Sequence, residues 1–365
     1  NYWLQDTVDT TTISTPSSTI SAHTWHFISC VRQSGTMRLY VDGVQKATGT
    51  RSGSVKDVAG GVGIGMTGEF ADYLAGYMSN YRFVIGTCLR NDGTTFSVPT
   101  TPLTSTGSET KILTAQSNKF VDNSSTGRTP VFSGTGSKIL PFSPFAPSRS
   151  YSKDAVGGSA YFDANDYLVL EDPQRVGNVV SNFTFELWIY RTSNVQYALL
   201  YSTGSNGTFD NGTTDGLNFQ FYGTTSTLYL QIHNGSNGVN TMSYTGAPQI
   251  GAWSHIAFTN DGTQTSLFLD GVRVANETTN FETFHPGTAC DEFQIGRIGS
   301  SDYTNPKFIA GVHFHNTEYY DASASTITIP TAPSTPTNNT FALLNFTNAG
   351  IIDHTMKNNL ETEGN

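Results

Sequence analysis

Residues 183–190 read FTFELWIY, and their apolar side chains alternate with the residues between them at a period of two. This is the period of a β-strand with one face in a hydrophobic core, because successive side chains of a strand point to opposite faces. Residues 217–222, LNFQFY, alternate in the same way. The pattern predicts strands, and it predicts a core that includes Phe183, Phe185, Leu187, Phe219, Ile256 and Leu267.

Turn-forming dipeptides separate the predicted strands. Asn and Gly tolerate the left-handed backbone of tight hairpin turns, and Asn-Gly pairs occur at residues 206–207, 211–212 and 234–235. Asp42-Gly43 and Asp270-Gly271 predict hairpin turns for the same reason. No stretch has the periodicity of a convincing amphipathic helix. About a dozen short antiparallel strands in one unit fit a two-sheet sandwich of the jelly-roll type.

The composition agrees with an all-β chain and excludes several functional classes. Charged residues make up 13% of the 365 residues, against about 25% in an average soluble domain, while 23 Phe, 17 Tyr and 4 Trp supply apolar area. A net charge of −10 disfavours nucleic acid as a partner, because the chain would repel a phosphate backbone. No apolar run is long enough to span a bilayer. The three cysteines predict no disulfide framework, and Cys30 is expected to be a buried free thiol.

An internal repeat organises the chain. Residues 25–28 and 39–44 match residues 253–256 and 267–272 at an offset of 228, which becomes 231 further along. Proline-bearing stretches follow both copies and are interpreted as linkers between units. The predicted boundaries are 1–98 for the back part of one unit, 99–108 for a linker, 109–330 for a complete unit, 331–340 for a second linker and 341–365 for the opening of a further unit. We therefore expect the parent polypeptide to extend past both ends.

Three segments together resemble the laminin-G-like jelly rolls of the concanavalin A-like lectin/glucanase superfamily. They are residues 158–168, the strand at 183–189, and Trp253 through Gly271 with its W-x-H-I-A pattern. Residues 81–87 and 142–147 further resemble tandem units in structural proteins of marine tailed bacteriophages. The resemblance implies tandem two-sheet antiparallel β-sandwiches, and the fold by itself does not decide the function.

Catalytic patterns are weak. Polysaccharide-cleaving enzymes of this fold carry acidic residues at alternate positions of one strand, where two carboxylates can flank a glycosidic bond. No E-x-D sequence occurs in the chain, and Glu186 stands alone on its strand. The nearest acids are adjacent pairs, Glu171-Asp172 and Asp291-Glu292. We therefore expect no enzymatic activity.

Metal-binding patterns are also weak. His313 and His315 would share one strand face, but their repeat counterparts are Arg82 and Val84 and no third ligand is evident, so they are interpreted as surface or edge histidines. The resemblance makes calcium in rim loops a candidate cofactor, although none is required. The candidate ligands are Asp210, Asn211 and Asp215, with the Asp163 to Asp166 turn as a weaker second site.

Sugar binding would need exposed aromatic rings beside amides, which offer an apolar platform and oriented hydrogen bonds. Trp188, Tyr190 and Tyr222 are the candidates, with Tyr229 beside them, and packing is the competing interpretation.

The expected function is that of a non-enzymatic virion or extracellular protein, a tail fibre, adhesin or capsid-surface component of a tailed phage. Its expected partners are other virion or surface proteins and host-surface glycans. A bacterial cell-surface adhesin and a secreted carbohydrate-active enzyme are the alternatives. The oligomeric state is left open.

Overall fold

The computed structural model describes most of the chain. The described residues are 2–5, 10–53, 55, 62–66, 73–90, 93–117, 119–132, 137–140, 143–145, 157–163, 166–171, 182–193, 195, 197–203, 216–222, 227–234, 238–246, 248–278, 292–297, 306–347, 353, 355 and 360–363. Within these residues the chain is β-structure and loops, with one short 3-10 turn at Gly107–Glu109. No helix among them has the length and hydropathy needed to cross a bilayer. The predicted all-β class is confirmed.

The chain forms two compact units. The first consists of Asn1–Val131 and Ile139–Ser148, and the second of Phe132–Lys138 and Arg149–Asn365. The second unit contains two seven-stranded antiparallel sheets. Its strands are β8 (Ala160–Phe162), β9 (Tyr167–Glu171), β10 (Phe183–Arg191), β11 (Tyr197–Thr203), β12 (Gly216–Tyr222), β13 (Thr227–Asn234), β14 (Gly238–Thr245), β15 (Trp253–Asn260), β16 (Thr265–Leu269), β17 (Val272–Glu277), β18 (Glu292–Ile295), β19 (Lys307–His315), β20 (Thr340–Leu344) and β21 (Leu360–Glu363).

Sheet I has the order β17-β16-β15-β10-β19-β20, with β8 also paired to β19, and sheet II has the order β14-β13-β12-β11-β18-β9-β21. The core between them contains the alternating residues that the sequence predicts. Phe183, Phe185, Leu187, Phe219, Ile256 and Leu267 are each at most 1% exposed. Full burial of one such side chain stabilises the fold by roughly 1.5–3 kcal/mol. The period-two interpretation is confirmed for β10 and β12.

The first unit contains three small antiparallel sheets. They are β1 (Tyr2–Gln5) with β2 (Thr10–Ile13), β3 (Ile28–Gln33) with β4 (Thr36–Val41) and β5 (Val44–Thr50), and β6 (Tyr81–Val84) with β7 (Thr110–Thr114). A small core of Ile13, Met37 and Leu39 lies against Ala47. Cys30 lies on β3 as a free cysteine but is exposed, so the prediction that its thiol is buried is wrong. Cys30 lies directly opposite the buried Leu39, but β3 is the edge strand of its sheet, which leaves the side chain exposed.

The structure reproduces the internal repeat at its hairpin turns. Asp42 and Gly43 have φ of 52° and 76°, and Asp270 and Gly271 have φ of 50° and 86°. Two consecutive left-handed residues are the signature of a type I′ hairpin turn. The carboxylate of Asp42 accepts the Phe27 N–H at 2.9 Å, and that of Asp270 accepts the His255 N–H at 3.0 Å. The two aspartates therefore have the structural role that the sequence predicts.

The predicted unit boundaries differ from those of the structure. β7, expected to open the complete unit, pairs with β6 of the first unit, and β20, expected to open a third unit, pairs with β19 of the second. The pairing is equivalent in both copies, because Thr110 lies opposite Val84 and Thr340 lies opposite His315. The proline-bearing stretches are therefore connections within a unit, since proline interrupts a strand without preventing the chain from returning to the same sheet.

Candidate functional site

A buried polar cluster lies on the outer face of sheet I. We call Glu186, His255, His313, His315 and Tyr320 the Glu186 cluster. One carboxylate oxygen of Glu186 accepts hydrogen bonds from His255 Nε2 at 2.8 Å and from the Tyr320 hydroxyl at 2.6 Å. The other lies 3.0 Å from His313 Nδ1, which is 3.1 Å from His315 Nε2. Strand register produces the cluster, because Glu186 lies opposite His313 on β19 and diagonal to His255 on β15.

The electrostatics of the cluster follow from its burial and its hydrogen bonds. Burial alone would raise the pKa of Glu186, but hydrogen bonds from His255, His313 and Tyr320 lower it to about 2. Burial, together with the neighbouring His313, lowers the pKa of His315 to about 3. Burial and the Glu186 charge raise the pKa of Tyr320. The carboxylate is therefore ionised at neutral pH, while the Tyr320 hydroxyl stays protonated and donates a hydrogen bond to Glu186.

A covering segment, residues 316–339, closes this part of the outer face. Tyr319 stacks on His315 with ring centroids 4.1 Å apart and planes within 8°. Tyr320 packs with Ala257 and Phe268 of sheet I, and Ile327 lies against the same group. The Tyr319 backbone N–H donates to the Thr184 hydroxyl at 2.8 Å. These contacts exclude the Glu186 cluster from solvent.

His313 and His315 therefore do not lie at a surface or an edge. They are 1% and 0% exposed, and β19 lies between β10 and β20. The prediction of surface or edge histidines is wrong, because their exposure depends on the covering segment. The expectation that they share a strand face is correct. Glu186 is a third potential metal ligand beside them, which the sequence did not reveal.

An aromatic row crosses the other end of the same outer face. Tyr161, Phe308, Tyr190 and Trp253 lie directly opposite one another on β8, β19, β10 and β15. Their neighbouring ring centroids are 4.9, 5.8 and 5.7 Å apart. Tyr161 is 49% exposed, and the other three are half-buried. Trp188, also half-buried, packs on His255 between the row and the Glu186 cluster.

The outer face of sheet II carries a second aromatic site, which we call the tyrosine–amide face. Tyr222 on β12 is 54% exposed and stacks on Tyr229 of β13, with centroids 5.5 Å apart and planes within 29°. The Gln231 amide donates to the Tyr229 hydroxyl at 3.0 Å, and its oxygen accepts from the Asn218 amide at 3.2 Å. The exposed hydroxyls of β14 lie beside these groups, at Thr241, Ser243 and Thr245.

The three sugar-binding candidates of the sequence thus divide between two sheets. Trp188 and Tyr190 lie on the outer face of sheet I, and Tyr222 lies on that of sheet II. The calcium candidates Asp210, Asn211 and Asp215 lie outside the described residues, as do the Asn-Gly pairs at 206–207 and 211–212. At the second candidate turn, the Asp166 carboxylate accepts the Asp163 N–H at 3.1 Å, which is ordinary turn chemistry.

The sequence matches one protein-family model over residues 1–87 and 162–341, a laminin-G-like model described as Concanavalin A-like lectin/glucanases superfamily. The chain belongs to this superfamily. The match covers well over half of the chain, and it includes both copies of the repeat and both sheets of the second unit. Comparison with curated proteins found no match.

Three solved structures are similar to part of this chain. A Bacteroides ovatus protein with a provisional carbohydrate-binding assignment is 18% identical, with a TM-score of 0.41 over 57% of this chain and 59% of its own. A pentraxin from Limulus polyphemus is 10% identical, with a TM-score of 0.33 over 47% of this chain and 80% of its own. Botulinum neurotoxin type C, whose cell entry depends on interaction with two ganglioside molecules, is 11% identical, with a TM-score of 0.33 over 45% of this chain and 44% of its own. This chain therefore spans less than two thirds of the first and third of these proteins.

The neighbours of Glu186 among the described residues are histidine and tyrosine side chains. Its hydrogen-bond partners among the described residues are His255, His313 and Tyr320. The W-x-H pattern at Trp253 was a sequence signal for His255. Trp253 and His255 occupy alternate positions on the outward face of β15, and that face lies beside the outward side chains of β10. The pairing of β10 with β15 and with β19 could not be predicted from the sequence of any one of these strands.

Proposed function

We propose that the protein is a non-enzymatic surface or virion protein that binds carbohydrate through the tyrosine–amide face of sheet II. The observation that carries this proposal is the exposed Tyr222 stacked on the half-buried Tyr229, beside the Gln231 and Asn218 amides. An aromatic ring offers an apolar platform to the face of a pyranose, and a few fixed amides orient its hydroxyls.

The composition of this face suits a neutral sugar. Strands β12, β13 and β14 contain no Asp, Glu, Lys or Arg, so the surface offers hydrogen-bonding groups without a charge to desolvate. The Asn218 side chain is 5% exposed, with its amide nitrogen bonded to Gln231. The buried Asn218 therefore holds the half-buried Gln231 amide in place, and a preorganised amide lowers the entropic cost of binding.

The biological setting that we propose is the surface of a tailed bacteriophage, as a tail fibre, adhesin or capsid-surface component, with other virion proteins and host-surface glycans as partners. Its support is the resemblance of the tandem repeat to phage structural proteins. A bacterial cell-surface adhesin would use the same face. Proteomics of purified particles and of cell envelopes from the source material separates the two settings.

The binding test uses the full chain on a glycan array, followed by calorimetric titration of each positive glycan. Tyr222→Ala should weaken binding at least tenfold, because it removes the exposed ring. Tyr161→Ala is the matched control, since Tyr161 is a tyrosine of similar exposure on the other sheet. Loss of binding in the control alone would move the site to the aromatic row. Binding to no glycan would contradict the proposed function.

One observation favours a second candidate, a secreted carbohydrate-active enzyme. The register of β9 with β18 places Glu171 opposite Glu292, two acids that the sequence shows only as members of separate adjacent pairs. Hydrolysis of a glycosidic bond commonly uses two carboxyl groups, and these two positions supply a pair of acids. Release of reducing ends from laminarin, agar or alginate, lost in Glu171→Gln, would favour the enzyme over the adhesin.

A further inference from the structure

Three possible metal ligands converge within the Glu186 cluster. Glu186, His313 and His315 each offer one ligand atom, and these three atoms lie within 4.8 Å of one another. One carboxylate oxygen of Glu186 is 3.0 Å from His313 Nδ1, which is 3.1 Å from His315 Nε2. All three residues are at most 1% exposed, so bulk water does not separate these atoms.

Protons alone do not satisfy this arrangement. Both short contacts share one atom, His313 Nδ1. If that nitrogen carries a proton, the N–H can point along only one of the two contacts. If it carries none, His315 Nε2–H can donate to it, but the Glu186 oxygen then faces a nitrogen lone pair. At least one contact therefore lacks a well-aligned hydrogen bond, which is costly in a buried site.

A divalent transition-metal ion would satisfy all three atoms at once. Zinc bonds to nitrogen and oxygen ligands at about 2.0–2.2 Å, which places neighbouring ligand atoms of a tetrahedron about 3.3 Å apart. The separations of 3.0 and 3.1 Å at His313 Nδ1 lie close to this value, and the whole ligand set lies within 4.8 Å. Two imidazoles and one carboxylate also form a mixed set that suits zinc and its neighbours better than calcium or magnesium.

The surroundings already provide the outer contacts that such a site needs. His313 Nε2 lies 3.2 Å from the Thr340 hydroxyl, so the ring can donate there and leave Nδ1 free as a ligand. The second carboxylate oxygen of Glu186 is held by His255 and Tyr320. Metal-binding histidines and carboxylates usually have partners of this kind, which fix the orientation of the ligand.

The internal repeat provides a natural comparison. In the first unit, β6 pairs with β7 as β19 pairs with β20, and Arg82 and Val84 occupy the positions of His313 and His315. Neither can complete the same ligand set. This strand pairing can therefore form without histidines at these two positions. The presence of His313 and His315 needs an explanation that is specific to the second unit.

We propose that Glu186, His313 and His315 form a binding site for one divalent transition-metal ion of the zinc class, beneath the covering segment. The ion cross-links β10 to β19. It is independent of the tyrosine–amide face, which lies on the other sheet, so either proposal can fail without the other.

The test is the metal content of the untagged full chain, produced in zinc-supplemented medium and dialysed against metal-free buffer. Mass spectrometry of the wild type should find about one zinc per chain, and protein produced with cobalt should show the visible d–d absorption of a nitrogen- and oxygen-ligated Co²⁺. His313→Gln and His315→Gln should each lower the zinc content at least tenfold. His26→Gln is the matched control, because His26 in the first unit contacts a carboxylate, Asp42, at 2.7 Å.

The outcomes distinguish a metal site from a network of hydrogen bonds among the same three residues. Loss of zinc in the two variants, with retention in the control, supports the site. A folded wild type that holds less than a tenth of an equivalent of zinc and shows no cobalt absorption overturns it. Zinc retained in either folded variant overturns the ligand assignment. Circular dichroism verifies folding, and the cobalt spectrum of the wild type decides the matter should both variants fail to fold.

Discussion

Lys307 is a fully buried lysine at the end of β19, and its charge should make the stability of the second unit depend on pH. Its side chain is 0% exposed and donates to the Gly296 carbonyl at 3.0 Å. The ammonium lies 5.7 Å from the centre of the Phe162 ring. Arg191, directly opposite in the register, is a second buried cation. Burial lowers the pKa of Lys307 to about 7, and the opposing effect of Asp166 is smaller.

The sign of the effect follows from the two protonation states. Between pH 7 and the ordinary lysine pKa of 10.5, the unfolded chain binds the Lys307 proton and the folded chain releases it. Stability therefore rises with pH in this window. The full difference corresponds to at most about 5 kcal/mol, and the rise between about pH 7 and 9 should be about 2 kcal/mol. Below pH 7 both states bind the proton and the contribution is constant.

Lys307→Met keeps the length of the side chain and removes the titration. We expect the free energy of unfolding of the variant to change less between about pH 7 and 9 than that of the wild type, by about 2 kcal/mol. Denaturant-dependent hydrogen exchange of the β10 and β19 amides measures the second unit alone. Lys138→Met, at an exposed lysine of the same unit, is the control and should keep the wild-type pH profile. Parallel pH profiles for Lys307→Met and the wild type would refute the reasoning.

Two further perturbations test the core and the repeat. Leu187→Ala removes a fully buried side chain and should lower the free energy of unfolding by about 2–5 kcal/mol, whereas the exposed Ser243→Ala should change it little, as a denaturant melt of both variants measures. Gly271→Ala should cost about 1–3 kcal/mol, because φ is +86° and the new Cβ would lie 2.8 Å from the Ile327 carbonyl oxygen. Gly93→Ala, with φ of +108° but open space, should cost less, and equal shifts in the thermal midpoint would show that the close approach to Ile327 is unimportant.

The parts of the fold that depend on local pattern were predictable from the sequence. Alternation along residues 183–190 identifies both the buried face and the outward face of β10, because the period of a strand is fixed by its backbone. The Asp-Gly turns were predictable for the same reason, since two consecutive left-handed residues favour that dipeptide. The Asp-Gly turns also repeat at an offset of 228, so each copy supported the prediction for the other.

The Glu186 cluster was not predictable, because it depends on pairing between distant strands. Glu186 and His313 are 127 residues apart in sequence, and Glu186 and His255 are 69 apart. Each residue taken alone reads as an outward polar position on its own strand. Neither the register of β10 against β19 nor the presence of a cover over that face is encoded in a period-two pattern.

The covering segment lies on the outer face of sheet I through residues 319–327, and its last part is the proline-bearing stretch 331–340 that was predicted as a linker. Beneath its first part, the outer face of sheet I presents hydroxyl and amide side chains beside the apolar Ala257 and Phe268. The Ala322 carbonyl accepts from the Gln264 amide and the Ser266 hydroxyl, each at 2.6 Å, and the Thr259 hydroxyl donates to the Tyr320 carbonyl at 3.0 Å. Each bond satisfies a backbone carbonyl of the segment with a side chain of the sheet, which allows Tyr320 and Ala322 to be buried without belonging to a strand. The hydroxyl and amide side chains of the strands beneath such a connection indicate that it packs on the sheet. The sequence of the connection itself gives little indication of this packing.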